Sequence, residues 1–239
     1  MAVKQIKCDD KLFAINYESI NNSCENSIVF LHGWGSNKEI MRNVFKNELK
    51  DFRHIYIDLP GFGKSSNDYI LDVKAYTRIV GEFLKVLDIN KLAIAGHSFG
   101  GKVATLLHPD NLILLSSAGI LEAKPLSVKS KILLSKTMNT LGLKNITKKF
   151  RSKDAESMNE VMYETFKNVV NENLEEDFKN YRGNALIFWG KEDTATSLSS
   201  GEKIASLIKN STFKAYDGDH YFFTKNAKDI AHRIENGIH

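Results

Sequence analysis

The sequence has few of the residues that stabilise small secreted folds. It contains only two cysteines, Cys8 and Cys24, and they do not form a C-x-x-C pair. Two cysteines cannot build a framework of several disulfides, so we expect reduced thiols in a cytoplasmic protein. Only 3 of the 239 residues are proline and 15 are glycine. This composition excludes collagen-like and proline-rich low-complexity chains.

Long apolar runs are also missing. The first residues contain no apolar run of the length that a secretory signal peptide needs, and no stretch reaches the roughly 18 apolar residues of a membrane helix. We therefore expect no transmembrane segment and a cytoplasmic location. No pattern predicts a cofactor or a metal site.

The net charge of +4 is too small to indicate a nucleic-acid-binding protein. The positive charge is nevertheless concentrated in the segment 124–153, which has nine cationic residues and no acidic one. One hypothesis is that this segment binds an acidic partner, such as an acyl carrier protein, or an anionic membrane surface. The alternative is a solvated helix face.

Short apolar runs alternate with amphipathic segments along most of the chain. A β-hairpin is predicted over 3–17, and buried strands are predicted at 28–31, 54–59, 92–95, 112–115, 185–189 and 212–216. Helices are predicted at 38–49, 72–87, 98–107, 198–209 and 224–236. This alternation predicts an α/β fold, with a mostly parallel sheet covered by helices on both faces.

The alternation breaks once, over 119–182, where no strand-like run occurs. Helical patterns at about 126–141, 144–150 and 154–178 take its place. We expect a helical cap inserted between two parts of the core, 1–118 and 183–239.

The strongest motif is Gly96-His97-Ser98-Phe99-Gly100, which fits G-x-S-x-G. The pentapeptide alone is weak, but here it follows the strand 92–95 and opens a helix. A sharp strand-to-helix turn exposes the serine, and small residues two positions before and after it relieve the crowding. The context therefore predicts Ser98 as a nucleophile. The alternative is a plain turn in which Ser98 is an N-cap.

An acyl-transfer site also needs two backbone N–H groups that converge on the oxyanion. His32-Gly33-Trp34-Gly35 directly follows the strand 28–31, and Phe99 follows the nucleophile. We predict the amides of Trp34 and Phe99 as the oxyanion hole. Trp34 can at the same time be a packing aromatic, because the donor is its backbone.

Seven histidines compete for the role of the base: His32, His54, His97, His108, His220, His232 and His239. His97 is expected to point away from the site, and His32 and His54 precede Ser98. His220 lies in a glycine-containing loop after the last strand, at the edge where parallel sheets gather catalytic groups. It is the predicted base, and a surface histidine is the alternative.

The orienting acid should come from a loop after a strand that precedes His220. Asp193 lies four residues after Trp189, the last residue of a predicted strand. Glu192 is its nearest rival, and Asp219 beside His220 is a second one. The loop after the preceding predicted strand, Ser116-Ser117-Ala118-Gly119, contains no carboxylate that could take this role. Asp193 is therefore favoured.

These motifs, together with Asp58-Leu59-Pro60-Gly61-Phe62-Gly63-Lys64-Ser65, occur in an order that resembles the α/β-hydrolase superfamily over nearly the whole chain. The resemblance implies a Ser-His-Asp triad, an acyl-enzyme and a small-molecule carbonyl substrate. It also implies that the loop 58–65 is structural.

Small capped bacterial hydrolases are the most similar group, and His-Gly-Trp-Gly resembles the pimeloyl-[acyl-carrier protein] methyl ester esterases. A carboxylesterase for small or medium acyl esters is therefore expected. A C–C bond hydrolase of 2-hydroxy-6-oxo-dienoates ranks second, because its cap arginine could only be Arg151 or Arg182, and neither lies in a recognisable motif. A non-catalytic ligand-binding protein on the same fold is the alternative of another class.

Overall fold

The computed structural model describes residues 2–89, 91–122 and 158–238. The basic segment 124–153, Arg151 and the predicted helices at 126–141 and 144–150 lie outside these residues. The interpretation of that segment as a partner-binding surface therefore stays a prediction.

Within the described residues, eight strands form one sheet in the order β1-β2-β4-β3-β5-β6-β7-β8. Strands β1 and β2 form an antiparallel hairpin, β2 joins β4 antiparallel, and all other neighbours are parallel. The predicted mostly parallel sheet is confirmed. The strands are β1 (Ala2–Cys8), β2 (Lys11–Ile20), β3 (Ser27–Leu31), β4 (Arg53–Ile57), β5 (Lys91–His97), β6 (Asn111–Leu115), β7 (Asn184–Gly190) and β8 (Ser211–Tyr216).

The helices begin and end close to the predicted positions. In α2 (Val73–Val86), the side chain of Asp72 accepts from the amide of Ala75 over 2.7 Å and starts the first turn. The others are α1 (Lys38–Phe45), α3 (Phe99–Leu106), α4 (Glu160–Val170), α5 (Glu175–Asn180), α6 (Leu198–Leu207) and α7 (Ala227–Gly237), and a 3₁₀ turn spans Phe222–Thr224. Among these described helices, none is long and apolar enough to cross a membrane.

Two hydrophobic cores lie on the two faces of the sheet. In β6, Leu112 and Leu114 belong to one core, while Ile113 and Leu115 belong to the other. This alternation follows from the two-residue period of a strand. The first core also holds residues of α2, α3 and α6, and the second holds residues of α1 and α7. Both faces of the sheet are therefore covered by helices.

The described end of the predicted cap is two helices instead of one. The segment predicted as helical over 154–178 contains α4 and α5, separated at residues 171–174. Helix α4 is joined to the core by Lys102 of α3, whose Nζ donates to the carbonyls of Val169 and Glu172 over 2.7 Å each. The boundaries of a cap over 119–182 stay a prediction.

Candidate active site

The four loops that carry the predicted site residues all follow strands of the parallel part of the sheet. Trp34 follows β3, Ser98 follows β5, Asp193 comes three residues after β7, and His220 comes four residues after β8. Because the carboxyl ends of parallel strands share one edge, these residues gather at that edge.

Ser98 occupies a strained turn between β5 and α3. Its φ of 51° and ψ of −117° lie in a region that a residue with a Cβ rarely adopts. Two backbone hydrogen bonds hold the turn: the Ser98 amide donates to Leu115 over 3.1 Å, and Ala118 donates to Ser98 over 3.0 Å. A Cβ at Gly100 would lie 2.4 Å from the carbonyl oxygen of Leu31, so only glycine fits two residues after the serine. These contacts with other segments of the chain hold Ser98 in a sharp, partly exposed turn.

Asp193 and His220 are in direct contact, with His220 Nδ1 2.7 Å from Asp193 Oδ2. The Asp193 side chain is fully buried and that of His220 is 15% exposed. Burial acts to raise the pKa of the Asp193 carboxyl, but hydrogen bonds from His220 and Thr196 outweigh it and lower the pKa to about 2. Asp193 is therefore ionised near neutral pH. It accepts the Nδ1 proton of His220 and leaves the Nε2 lone pair free for a base.

The two rival carboxylates have other partners. Glu192 is exposed, its carboxylate accepts from the Gly218 amide, and its own amide donates to the Gly218 carbonyl over 3.0 Å. Asp219 is also exposed and accepts from the amide of Tyr221 over 2.8 Å. Both acids stabilise the loops around His220, and Asp193 is the carboxylate that contacts its ring.

The loop of Trp34 is fixed by a buried histidine. The Leu59 amide donates to His32 Nε2 over 3.0 Å, so the proton of this imidazole is on Nδ1, which donates to the carbonyl of Gly33 over 2.7 Å. Burial lowers the pKa of His32 to about 4 and keeps it neutral. A Cβ at Gly33 would lie 3.1 Å from the Cβ of Ser98. The loop of the predicted oxyanion donor is therefore packed against the turn of Ser98.

A second loop, 58–65, supports the first one. Asp58 is buried and accepts from Lys38 Nζ over 2.7 Å and from the backbone amides of Lys38 and Lys64. Phe62 of this loop packs edge-on against the Trp34 ring, with 4.8 Å between the ring centroids. These contacts fit the structural role that the resemblance implies for the loop.

A cleft of about 280 Å³ lies beside the Trp34 loop. Its described lining combines the apolar side chains of Trp34, Phe62, Met158 and Met162 with polar surface that includes Asn159. The two methionines lie on α4 or just before it, so the cleft separates the end of the insertion from the sheet edge. The apolar side chains of this lining suit the hydrocarbon part of a ligand.

Sequence reasoning missed two residues of the site. His97 was expected to point away, but its ring lies 4.6 Å, centroid to centroid, from that of His220. Thr196 donates from Oγ1 to Asp193 Oδ2 over 2.9 Å. For His97, the position directly before Ser98 could have indicated a place in the site. The sequence contains no such signal for Thr196, because its contact with Asp193 depends on how the loop after β7 turns back.

Comparison with known proteins agrees with this architecture. The family profile for the alpha/beta hydrolase fold matches residues 26–171, and the chain belongs to this family. It is 25% identical over 228 residues to the uncharacterized hydrolase YugF of Bacillus subtilis, which covers 82% of this chain and 84% of that protein.

Other relatives match over shorter stretches. The chain is 37% identical over 102 residues to a pimeloyl-[acyl-carrier protein] methyl ester esterase of Pseudoalteromonas atlantica, which covers 38% of this chain and 37% of that protein. The matched part spans about a third of the length of the first curated relatives. An esterase structure from Exiguobacterium antarcticum superposes with a TM-score of 0.75 at 20% identity, covering 97% of both chains, and this likeness shows the fold.

Proposed function

We propose that this chain is a carboxylesterase that hydrolyses small or medium acyl esters through an acyl-enzyme on Ser98. The observation that carries the proposal is the 2.7 Å contact between His220 Nδ1 and Asp193 Oδ2, where the ring of His97, the residue directly before Ser98, lies 4.6 Å from that of His220. The relatives with esterase names support the same reaction class.

The first half-reaction forms the acyl-enzyme. Ser98 Oγ attacks the ester carbonyl carbon while His220 Nε2 takes the hydroxyl proton. The carbonyl oxygen becomes an oxyanion and accepts hydrogen bonds from the amides of Trp34 and Phe99. The C–O bond to the alcohol then breaks, and the alkoxide leaves with the proton that His220 carries.

The second half-reaction releases the acid. Water attacks the acyl carbonyl, His220 takes one of its protons, and the Ser98–acyl bond breaks. The proton returns to Ser98 Oγ and the carboxylic acid is free. Asp193 stabilises the imidazolium in both halves, and it stays ionised because its pKa is about 2.

The cleft beside Trp34 is the proposed acyl site. Its volume of about 280 Å³ is roughly nine times that of a water molecule, which suits an acyl chain of roughly eight carbons or fewer. Phe62, Met158 and Met162 supply apolar and polarisable contacts there.

C–C bond hydrolysis ranks second because of where the cationic residues lie. A dienoate substrate needs a partner for its carboxylate. Arg182 lies just before β7, at the opposite end of that strand from Asp193, and its Nη1 donates to the carbonyls of Lys179 and Tyr181. Arg151, the other arginine considered for this role, lies outside the described residues.

Labelling with a fluorophosphonate probe tests the enzyme against the non-catalytic alternative. We expect labelling of the wild type and none of Ser98→Ala. Absent labelling, or labelling that survives Ser98→Ala, would overturn the proposal. Turnover of p-nitrophenyl butyrate against a yellow dienoate then tests the bond cleaved. Efficient dienoate cleavage with negligible ester turnover reverses the ranking.

The basic segment 124–153 leads to a subsidiary proposal, a docking site for an acidic acyl carrier protein. The relative from Pseudoalteromonas atlantica is named for a carrier-bound substrate. Replacing Lys129, Lys131 and Lys136 by glutamate should lower turnover of a carrier-bound ester and leave the free methyl ester unaffected. Equal activity of the triple variant on both substrates, relative to wild type, removes this proposal.

A further inference from the structure

His97 is a buried ionisable group beside the site. Its side chain is buried, and its ring contacts those of His220, Phe223 and Tyr221 at centroid distances of 4.6, 4.8 and 5.2 Å. The chemistry proposed above gives it no role. A histidine in such a place needs either a packing reason or a functional one.

The hydrogen bond of His97 fixes its tautomer. Its Nε2 lies 3.0 Å from the backbone carbonyl oxygen of His220, which can only accept, so Nε2 carries the proton and donates. The other nitrogen, Nδ1, is buried and has no hydrogen-bond partner among the residues that the structure describes. Burial lowers the pKa of His97 to about 3, so the imidazole stays neutral near neutral pH. The bond to His220 therefore persists wherever the triad works.

His97 also touches the loop of the predicted oxyanion donor. A Cβ at Gly33 would lie 2.9 Å from His97 Nδ1 and 3.1 Å from the Cβ of Ser98. One imidazole thus lies between the Gly33 loop and the His220 loop, and it belongs to the residue directly before Ser98.

We propose that His97 is a positioning residue, which ties the main chain of His220 to the turn of Ser98 through its Nε2–H and so fixes the distance between base and nucleophile. The inference rests on the proposed function. Proton transfer between Ser98 and His220 is sensitive to small displacements, and an error of about 1 Å can cost about a hundredfold in rate. The loop from Asp217 to His220 contains Gly218 at a φ of 130°; Glu192 bonds the backbone of Gly218, and the His97 Nε2–H adds a restraint at His220 itself.

Two substitutions of His97 distinguish the effect of its N–H donor from the effect of its ring. His97→Phe keeps an aromatic ring but removes the N–H, whereas His97→Gln places an amide N–H near the position of Nε2. We expect His97→Phe to lower kcat by roughly 10- to 100-fold with little change in KM, and His97→Gln to recover most of that loss. Equal losses in both variants, or an unchanged kcat in His97→Phe, would overturn the proposal.

His54 offers a matched control for burial. It is also a fully buried histidine, with Nε2 2.9 Å from the carbonyl oxygen of Leu49, but it lies at the amino end of β4, away from the site. His54→Phe should lower stability without lowering kcat. A similar fall in kcat in His54→Phe would mean that any buried histidine has this effect, and the positioning role would be wrong.

Repeating the His97 substitution in a variant that lacks the His220 imidazole tests whether His97 acts through His220. In His220→Ala, the further change His97→Phe should leave the residual turnover of an activated ester unchanged. A loss of the same size as in the wild-type background would overturn the proposal. Wild-type ester turnover and its loss in Ser98→Ala test the proposed function separately, so the two failures are distinguishable.

Nitrogen NMR of the wild-type protein tests the proposal without a variant that lacks the Nε2–H donor. The ring signals of His97, assigned by their absence in His97→Gln, should show a proton on Nε2 only and should not change between pH 5 and 8. A proton on Nδ1, or titration in that range, would overturn the proposal even if His97→Phe does not fold.

Discussion

The hydroxyl of Thr196 lies 2.9 Å from Oδ2 of Asp193, the same oxygen that lies 2.7 Å from His220 Nδ1. The other oxygen, Oδ1, accepts from the backbone amides of Ala195 and Thr196 over 2.8 and 2.9 Å. The loop after β7 therefore fixes both oxygens of the carboxylate, and its orientation does not depend on His220 alone.

Thr196→Val removes only the hydroxyl donor of this arrangement. We expect kcat/KM to fall about tenfold, equivalent to about 1.4 kcal/mol, because Asp193 Oδ2 loses a charge-assisted hydrogen bond beside His220. Steady-state kinetics on a p-nitrophenyl ester measure the change. Thr194→Val, two residues earlier at an exposed position, is the control and should retain full activity.

Thr196→Val should also change how the free energy of unfolding depends on pH under acid conditions. The pKa of Asp193 is lowered to about 2 in the folded state, so its contribution is fully present above about pH 4 and is lost as pH falls towards 2. Thr196→Val raises that folded pKa, so the total loss of stability on acidification should be smaller and should end at a higher pH. Urea unfolding between pH 6 and 2.5 measures it, and identical curves for variant and wild type contradict the assignment.

Asp193→Asn should lower kcat by about 10⁴-fold, because an amide donating to His220 Nδ1 stabilises the wrong tautomer. Glu192→Gln is the matched control at the neighbouring position and should stay within about threefold of wild type, since Glu192 contacts the backbone of Gly218. A larger loss in Glu192→Gln than in Asp193→Asn would exchange the roles of the two acids.

Lys102→Met should change how stability depends on pH. Burial lowers the pKa of Lys102 from 10.5 to about 8. Between these values the unfolded chain binds more protons than the folded one, so this lysine makes the free energy of unfolding rise with pH, by at most about 1.4 kcal/mol per pH unit. The wild type minus Lys102→Met difference, from urea unfolding at pH 7, 8.5 and 10, should therefore increase. If this difference in the free energy of unfolding stays constant or falls with pH, Lys102 is not a buried ammonium with a lowered pKa.

Met158→Trp should shorten the preferred acyl chain. Met158 lines the cleft of about 280 Å³, and an indole there takes up part of that volume. We expect kcat/KM for a p-nitrophenyl octanoate to fall at least tenfold while that for the acetate changes little. Val170→Trp, at an exposed position on α4, is the control. Equal effects on both esters would mean that the cleft does not hold the acyl chain.

Much of the fold is predictable from the sequence, because the patterns that indicate it are local along the chain. The run Leu112–Leu115 is apolar at every position, and it forms β6, which is buried on both faces. The helix predicted over 72–87 is α2, and one of its faces, with Val73, Tyr76, Ile79, Val80, Phe83 and Leu84, is buried. The end of the insertion was less readable: one long helix was predicted where α4 and α5 lie, because the break at residues 171–174 contains neither glycine nor proline.

For this protein, the sequence alone determined the order of the motifs and predicted the parallel sheet and the sharp turn at Ser98, because the apolar runs and the G-x-S-x-G spacing that indicate them are local patterns. Only the tertiary structure decided that Asp193 is the carboxylate in contact with His220, and that Glu192 and Asp219 bond to the loops beside it. It also placed His97 and Thr196 in the site. The physical reason is that these contacts join loops from different strands, whose side-chain directions are fixed only when the sheet brings the loops together.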